Sequence, residues 1–415
     1  MPGYVHPDFT AVRETLERVG LPPHGPGGLA VAVYHRGECV VNYAAGTRNR
    51  QLQPFTEDTL CVAMSTSKAV VATLVHVLVD EGRLAYDTPI ARYWPEFAGG
   101  GKGGITLRHV LSHASGLYAV DDVTRSARDL EDWQGMVRAI EHTRARHAPG
   151  TSFGYHAWTM GYVLGEVVQR VTGLTLSEAL EEKLTRPLAL DGCYIGLPPH
   201  ERGRAADLIM PDLVKAPVPR GLWSAGFKVG DVAFGALGLR TRPTEALAAG
   251  WPRGLAHVDF NSDEFRQAAI PSVNGMYTAH SLARLFAPLA QRGVLEGERF
   301  LSEATLAEAT RDHGRGVGLV VPFPLRFKLG YMRPVSLGLP VTVLGKRRDL
   351  GVASPAAFGH FGFGGSGAWA DPERELSVGV VANSFFGTLP IDLRTVALAT
   401  AAAYAADARA TGRGR

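Results

Sequence analysis

The sequence predicts a mixed α/β protein in which one discontinuous domain, made from both ends of the chain, carries an inserted helical domain. Three observations lead there. Two β-rich runs lie near the start, in "GGLAVAVYHRGECVVNYAAG". Helical and loop-rich segments fill the stretch from about 100 to 265. Short strand-like runs return after residue 270, and a final helix closes the chain. The division expected is 1–95 with 270–415 as the α/β domain and 96–269 as the insert, with an active site between them.

The elements follow in order. Phe9, Val12, Leu16 and Val19 recur at helical spacing, and Gly20 can stop that helix. The two β-rich runs meet at Arg36-Gly37, a hairpin signal. "CVAMSTSK" (61–68) leads into "AVVATLVHVLVDEGRL", apolar almost all round and so expected to be buried on most faces. Thr106 can cap "LRHVLSH", "VLSHASGL" (110–117) reads as a helix ending in Gly116, and "MGYVLGEVVQRVTG" reads as amphipathic. Thr175 with Glu178 makes a capping box. The stretch 198–270 shows Pro, Gly and no clear period, which predicts long loops over the site. Helices are expected near 279–292 and 302–311, then strands at "VGLVVPF", "FKLGYM", "GAWADP" and "LSVGVVAN", and a last helix in "IDLRTVALATAAAYAADARA".

Composition narrows the function. With 46% hydrophobic and 20% charged residues the chain is globular. A net charge of +3 leaves no electrostatic footprint for nucleic acid, and Lys346-Arg347-Arg348 reads as a solvated loop. Cys39, Cys61 and Cys193 cannot form a disulfide framework, which fits a reducing compartment. "MPGYVHPDFT" lacks the pattern of a signal peptide, and no run reaches the ~18 apolar residues of a membrane span. A cytoplasmic protein is expected. Its oligomeric state is left open.

Chemistry enters at Ser65 and Lys68. Three residues apart at a helix start, their side chains share a face. A serine hydroxyl is a weak nucleophile until a base takes its proton. A lysine can be that base if burial and the positive helix end lower its pKa. The same helix end offers N–H groups to an oxyanion. The competing reading is a serine cap followed by a solvated lysine. With 17 serines and 7 lysines, fewer than one Ser-x-x-Lys is expected by chance, and one occurs. Tyr155, in "HAPGTSFGYHAW", is either a packing aromatic or a group that shares a proton with the lysine. "AFGHFGFGGSGAWADP" sets His360 before a glycine-dense run, either a turn-rich strand entry or a backbone that comes close to a ligand. His113 reads as a structural hydrogen-bonding group.

In this order, "STSK", "LSHASGL", "PGTSFGYHA", "GHFG" and the closing "VVAN" with its helix resemble the serine β-lactamase/penicillin-binding-protein superfamily, above all class C β-lactamases and family VIII carboxylesterases. The resemblance implies an antiparallel sheet flanked by N- and C-terminal helices, with a mostly helical insert. It implies that Ser65 is the acylated nucleophile, Lys68 its base and Tyr155 a partner in proton transfer. His360-Phe361-Gly362 matches the family's Lys-Thr-Gly strand, and the N–H of Phe363 would join that of Ser65 in the oxyanion hole. Two departures stand out. The family's Tyr-x-Asn is here Tyr155-His156-Ala157, and His360 replaces the lysine of Lys-Thr-Gly. Both shift the expectation from β-lactams and peptides towards uncharged esters.

The expected function is therefore a carboxylesterase working through an acyl-Ser65 intermediate. It takes a small-molecule ester or acyl donor and uses no cofactor or metal. The alternative is an acyltransferase that passes the acyl group to an alcohol or amine. A β-lactamase, a D-amino-acid peptidase or a catalytically silent binding protein ranks below both.

Overall fold

In "GLAVAVYH", large and small apolar residues alternate, and strand geometry sends them to opposite sides of a sheet. The computed structural model describes residues 3–22, 25–211, 220–322, 324–334, 340–343, 346–349, 353–385 and 392–412. Its main sheet comprises β1 (Tyr4–Val5), β2 (Gly28–His35), β3 (Glu38–Gly46), β4 (Phe358–Phe361), β5 (Gly367–Asp371) and β6 (Leu376–Ala382). Their order is β1-β3-β2-β6-β5-β4, and every neighbouring pair is antiparallel. The β2–β3 hairpin turns at Arg36 (φ 54°) and Gly37 (φ 80°), where expected, with two positive φ angles as a primed turn requires.

The helices that frame the site are α1 (Thr10–Thr15), α2 (Thr66–Asp80), α3 (Thr159–Thr172), α4 (Ala279–Ala290) and α5 (Leu393–Ala410). Leu29, Val31 and Val33, with Val378 and Val380, pack beneath Phe9, Val12 and Leu16 of the N-terminal segment and Leu398 and Ala402 of α5. Ala30, Ala32 and Tyr34 join the larger core of α2 and α4. Gly379 lets α4 lie directly on the sheet: a Cβ there would stand 2.3 Å from the Ala279 carbonyl oxygen. The sheet is thus covered on both faces, with both ends of the chain on one side. The antiparallel sheet with flanking terminal helices agrees with the fold expected.

A second, three-stranded sheet pairs Cys61–Val62 and Cys193–Tyr194 with Met276–Tyr277 between them. It ties the residues just before α2 to two distant segments and fixes where the helix starts. α2 is buried from Thr66 to Leu78, as its apolar character predicts. Thr106 and the Thr175–Glu178 box cap their helices as expected.

Several expectations need correction. Arg220–Ala236 and Pro243–Gly250 are helices inside the stretch read as loops. Gly221, Gly226, Gly230 and Gly235 interrupt the first, and glycine lowers helix propensity and erases an apolar period. The run 317–322 is not a strand: Gly314–Gly316 and Leu325–Phe327 pair around it, and Pro322 has no N–H to give a ladder. Lys346–Asp349 is a strand paired with Pro340–Val343, not a loop. Val19 is 39% exposed because the helix widens into a π turn at Leu16–Gly20. The helix in 110–117 stops at Leu111, well before Gly116, and His113 (φ 60°) leads away from it. α3 is buried from Thr159 to Val168 rather than half-solvated. Among the described residues no helix is long and apolar enough to cross a membrane.

Candidate active site

The head of α2 is tightly held. The Ala63 N–H donates to the Gly275 carbonyl (2.9 Å), and Met64 takes φ 47°, a strained value for a long side chain. Ser67 Oγ accepts from the Gly275 N–H at 3.1 Å, which gives that hydroxyl a structural post. Ser65 occupies the N-cap position, yet its side chain makes no capping hydrogen bond. From Thr59 to Leu78 it is also the single residue that is not buried. The capping explanation of the Ser-Lys pair therefore fails.

Lys68 is 1% exposed. Its Nζ lies 3.1 Å from Ser65 Oγ, 2.8 Å from the Ala157 carbonyl oxygen and 3.0 Å from the Ser272 carbonyl oxygen. No carboxylate bonds to it among the described residues. Burial alone holds its pKa well below the usual lysine value. A neutral amine keeps two N–H groups for the two carbonyls, and its lone pair then faces the Ser65 hydroxyl.

Tyr155 is half-buried, its ring centroid 5.2 Å from Lys68 Nζ. Burial raises its phenol pKa, and a hydrogen bond with the Ser65 hydroxyl works in the opposite direction. The ring leans on His113 (centroids 4.8 Å apart). His113 Nδ1 accepts from the His156 N–H at 3.1 Å, so its proton sits on Nε2, and the Ser115 hydroxyl lies 2.6 Å from His156 Nε2. Burial holds both rings below the usual histidine range, His156 at about 3. The structural role expected for His113 is the one it has.

His360 is 1% exposed. Its Nδ1 donates to the Phe361 carbonyl (3.0 Å), and Nε2 has no partner among the described residues. Burial first, then Lys68, lowers its pKa to about 3, so the ring is neutral. Gly362 brings this strand end onto the residues before the nucleophile: a Cβ would lie 2.1 Å from the Ala63 carbonyl oxygen. Neither the Ser65 N–H nor the Phe363 N–H has a hydrogen-bond partner among the described residues.

Ser65 and Tyr155 open into a cavity of about 540 Å³ walled by Trp158, Met210, Trp251, Leu255, Phe260 and Val273. Gly362 and Phe363 also line it, whereas His360 does not. The structure thus gathers Ser65, Lys68, Tyr155, Gly362 and Phe363 and leaves His360 outside the wall. Sequence reading missed the Ala157 and Ser272 carbonyls, because a backbone acceptor leaves no mark on residue type. It named none of the cavity walls: Met210, Trp251, Leu255 and Phe260 come from the stretch expected to lie over the site, and Trp158 and Val273 from outside it.

This arrangement can be set beside known proteins. The sequence profile of the beta-lactamase family matches residues 17–402. The chain belongs to the beta-lactamase family. "Esterase/beta-lactamase LipL" of Mycobacterium tuberculosis is 32% identical over 395 residues, covering 93% of this chain and 84% of LipL. The crystal structure of a penicillin-binding-protein homologue from Caulobacter crescentus superposes with a TM-score of 0.77 at 35% identity, over 97% of this chain and 99% of its own. A family VIII carboxylesterase does so with a TM-score of 0.78 at 30% identity, over 97% and 99%. The protein is a hydrolase of the beta-lactamase family and carries the overall fold of these neighbours.

Proposed function

We propose that the protein is a carboxylesterase that cleaves uncharged, largely apolar esters through an acyl-Ser65 intermediate. The observation that carries this is the Lys68 amine, buried with no carboxylate partner among the described residues and 3.1 Å from Ser65 Oγ. Ser65 Oγ attacks the ester carbonyl carbon as its proton passes to Lys68 Nζ. The oxyanion is held by the N–H groups of Ser65 and Phe363, donors that need no reorganisation. The tetrahedral adduct then expels the alcohol, which takes a proton delivered from Lys68 through Tyr155. Water repeats the sequence on the acyl-enzyme and frees the acid. The division of the chain into 1–95 with 270–415 and 96–269 belongs to the same reading, with Ser65 from one part and Tyr155 from the other.

The preference for neutral esters rests on charge. Among the described residues no Lys, Arg or His lines the cavity. Asp371 and Asp392 line it, but they bond to Arg374 and Arg394. A substrate carboxylate would therefore meet no cation among the described lining residues, and an apolar acyl chain would bury against Trp158, Trp251 and Phe260. The apolar wall also favours a second use of the same site, in which an alcohol takes the acyl group ahead of water.

Labelling with a fluorophosphonate and turnover of a p-nitrophenyl ester series test the proposal. Both should be lost in Ser65→Ala, and the wild type should prefer longer neutral acyl chains while turning over nitrocefin slowly. Ester turnover that survives Ser65→Ala would overturn the mechanism, and rapid nitrocefin hydrolysis would overturn the reading of Ala157 and His360. Product partition with an added alcohol separates hydrolysis from transfer.

A further inference from the structure

The turn that carries Phe363 is built of glycines and needs something to hold it. Gly364 (φ 101°) and Gly365 (φ 100°) adopt conformations that other residues rarely take, and glycine gains entropy when such a turn loosens. Two side chains at the start of α5 bond to this turn. The Thr395 hydroxyl donates to the Gly365 carbonyl at 2.5 Å, and Arg394 Nη2 donates to the Gly364 carbonyl at 3.4 Å. The Arg394 side chain is 1% exposed and paired with Asp392 at 2.6 Å. The same guanidinium donates to the Ser384 carbonyl (2.5 Å) at the end of β6 and to the Gly20 carbonyl (3.3 Å) after α1. One buried cation thus joins the glycine turn to three other segments. Arg394 does not line the cavity. Its planar fork satisfies several carbonyls at once, which a lysine ammonium cannot match.

We infer that Arg394, locked by Asp392, and the Thr395 hydroxyl are positioning residues that aim the Phe363 N–H at the developing oxyanion. This rests on the acyl-Ser65 reading above. It goes beyond that reading by placing control of the oxyanion hole in the C-terminal helix, where no local sequence feature announces it. A loosened turn weakens a bond made to the transition state, so kcat falls while KM for an apolar ester stays nearly fixed.

The test compares Thr395→Val, Thr395→Ser and Arg394→Lys with wild type, each normalised to active sites by fluorophosphonate titration. Matched p-nitrophenyl esters and thionoesters are the substrates. Sulfur accepts N–H hydrogen bonds poorly, so an aligned oxyanion hole favours the ester. Thr395→Val should lower kcat on the ester by about tenfold, short of the ~10²–10³ that deleting an oxyanion donor costs. Its ester-to-thionoester ratio should fall by a similar factor, and Thr395→Ser should restore both. Arg394→Lys should act in the same direction if it folds. A variant that is merely less stable loses active sites but keeps the ratio. An unchanged ratio in Thr395→Val therefore overturns the inference even while Ser65-dependent turnover persists. Loss of Ser65 dependence would instead overturn the acyl-enzyme itself.

Discussion

The head of α2 and the loop after Phe97 each bury a lysine to about 1% exposure, and the two lysines do opposite things. Lys102 Nζ donates to three carbonyls, those of Gly99, Glu141 and Thr143. Burial lowers its pKa to about 8, with the Glu141 carboxylate pulling the other way, so it stays charged at neutral pH. Lys68 has two carbonyls, a hydroxyl and, among the described residues, no carboxylate, and burial takes its pKa well below the usual value. Exchanging one carbonyl for a serine hydroxyl and removing the counter-charge turns a clamp into a base. Burial alone does not distinguish them. The Glu141 counter-charge and the third acceptor do.

The sharpest way to break this comparison is to remove each amine. Lys68→Met should lower kcat by ~10²–10⁴, the range for a general acid–base group, and cost only about 1 kcal/mol of stability, because neutral hydrogen bonds are weak in net terms. Lys102→Met should do the reverse. Three carbonyls lose a charged donor, so unfolding by urea should shift by about 2–3 kcal/mol, while kcat per titrated site stays within about twofold. Equal losses of kcat in the two variants would end the distinction. Tyr155→Phe belongs to the first class and should also lower kcat by ~10²–10⁴, with little change in urea midpoint.

The pH dependence sharpens the same contrast. Ser65 can pass its proton only to a neutral Lys68, so kcat/KM should rise with pH through the depressed folded-state pKa and then level off. Stability follows its own sign. A lysine held below its ordinary value binds fewer protons folded than unfolded, so stability rises with pH from the folded pKa up to the usual 10.5. For Lys102 that window opens near 8, and for Lys68 it opens at its own depressed pKa, well below 10.5. Between pH 8 and pH 10, urea midpoints should therefore climb less steeply in either methionine variant than in wild type, and below pH 8 Lys102→Met should keep the wild-type slope.

What the sequence made legible follows from where the signal lies. The Arg36-Gly37 hairpin, the buried run after Ser65 and the Thr175–Glu178 box are local patterns, and each is present. The order of "STSK", "YHA" and "GHFG" marked side chains that the fold does bring together. Hidden were the features that act through backbone or through distance. The Ala157 and Ser272 carbonyls could be any residue, and two of the three backbone carbonyls that clamp Lys102 lie 39 and 41 residues from it in the chain. Arg394 bonds to a glycine turn 30 residues away, across two strands. The helix at Arg220–Ala236 was hidden by its own glycines.

The smallest effect is expected at His360, a third buried nitrogen base beside Lys68. The sequence resemblance set His360 against a lysine, so a large role is the natural expectation. The geometry argues otherwise. Nδ1–H is committed to the Phe361 carbonyl at 3.0 Å, Nε2 has no partner among the described residues, and the ring does not line the cavity. With its pKa held near 3 by burial and by Lys68, it carries no charge at any pH where Lys68 can serve as a base. His360→Asn preserves a donor in the Nδ1 position and should lower kcat by less than about tenfold, well short of the ~10²–10⁴ of a proton-transfer group. The acid limb of the pH–rate profile should stay where Lys68 puts it. A hundredfold loss, or a limb displaced in His360→Asn but not in Lys102→Met, would mean that His360 titrates in the reaction and that the hydroxyl acceptor is not enough to explain why Lys68 is the base.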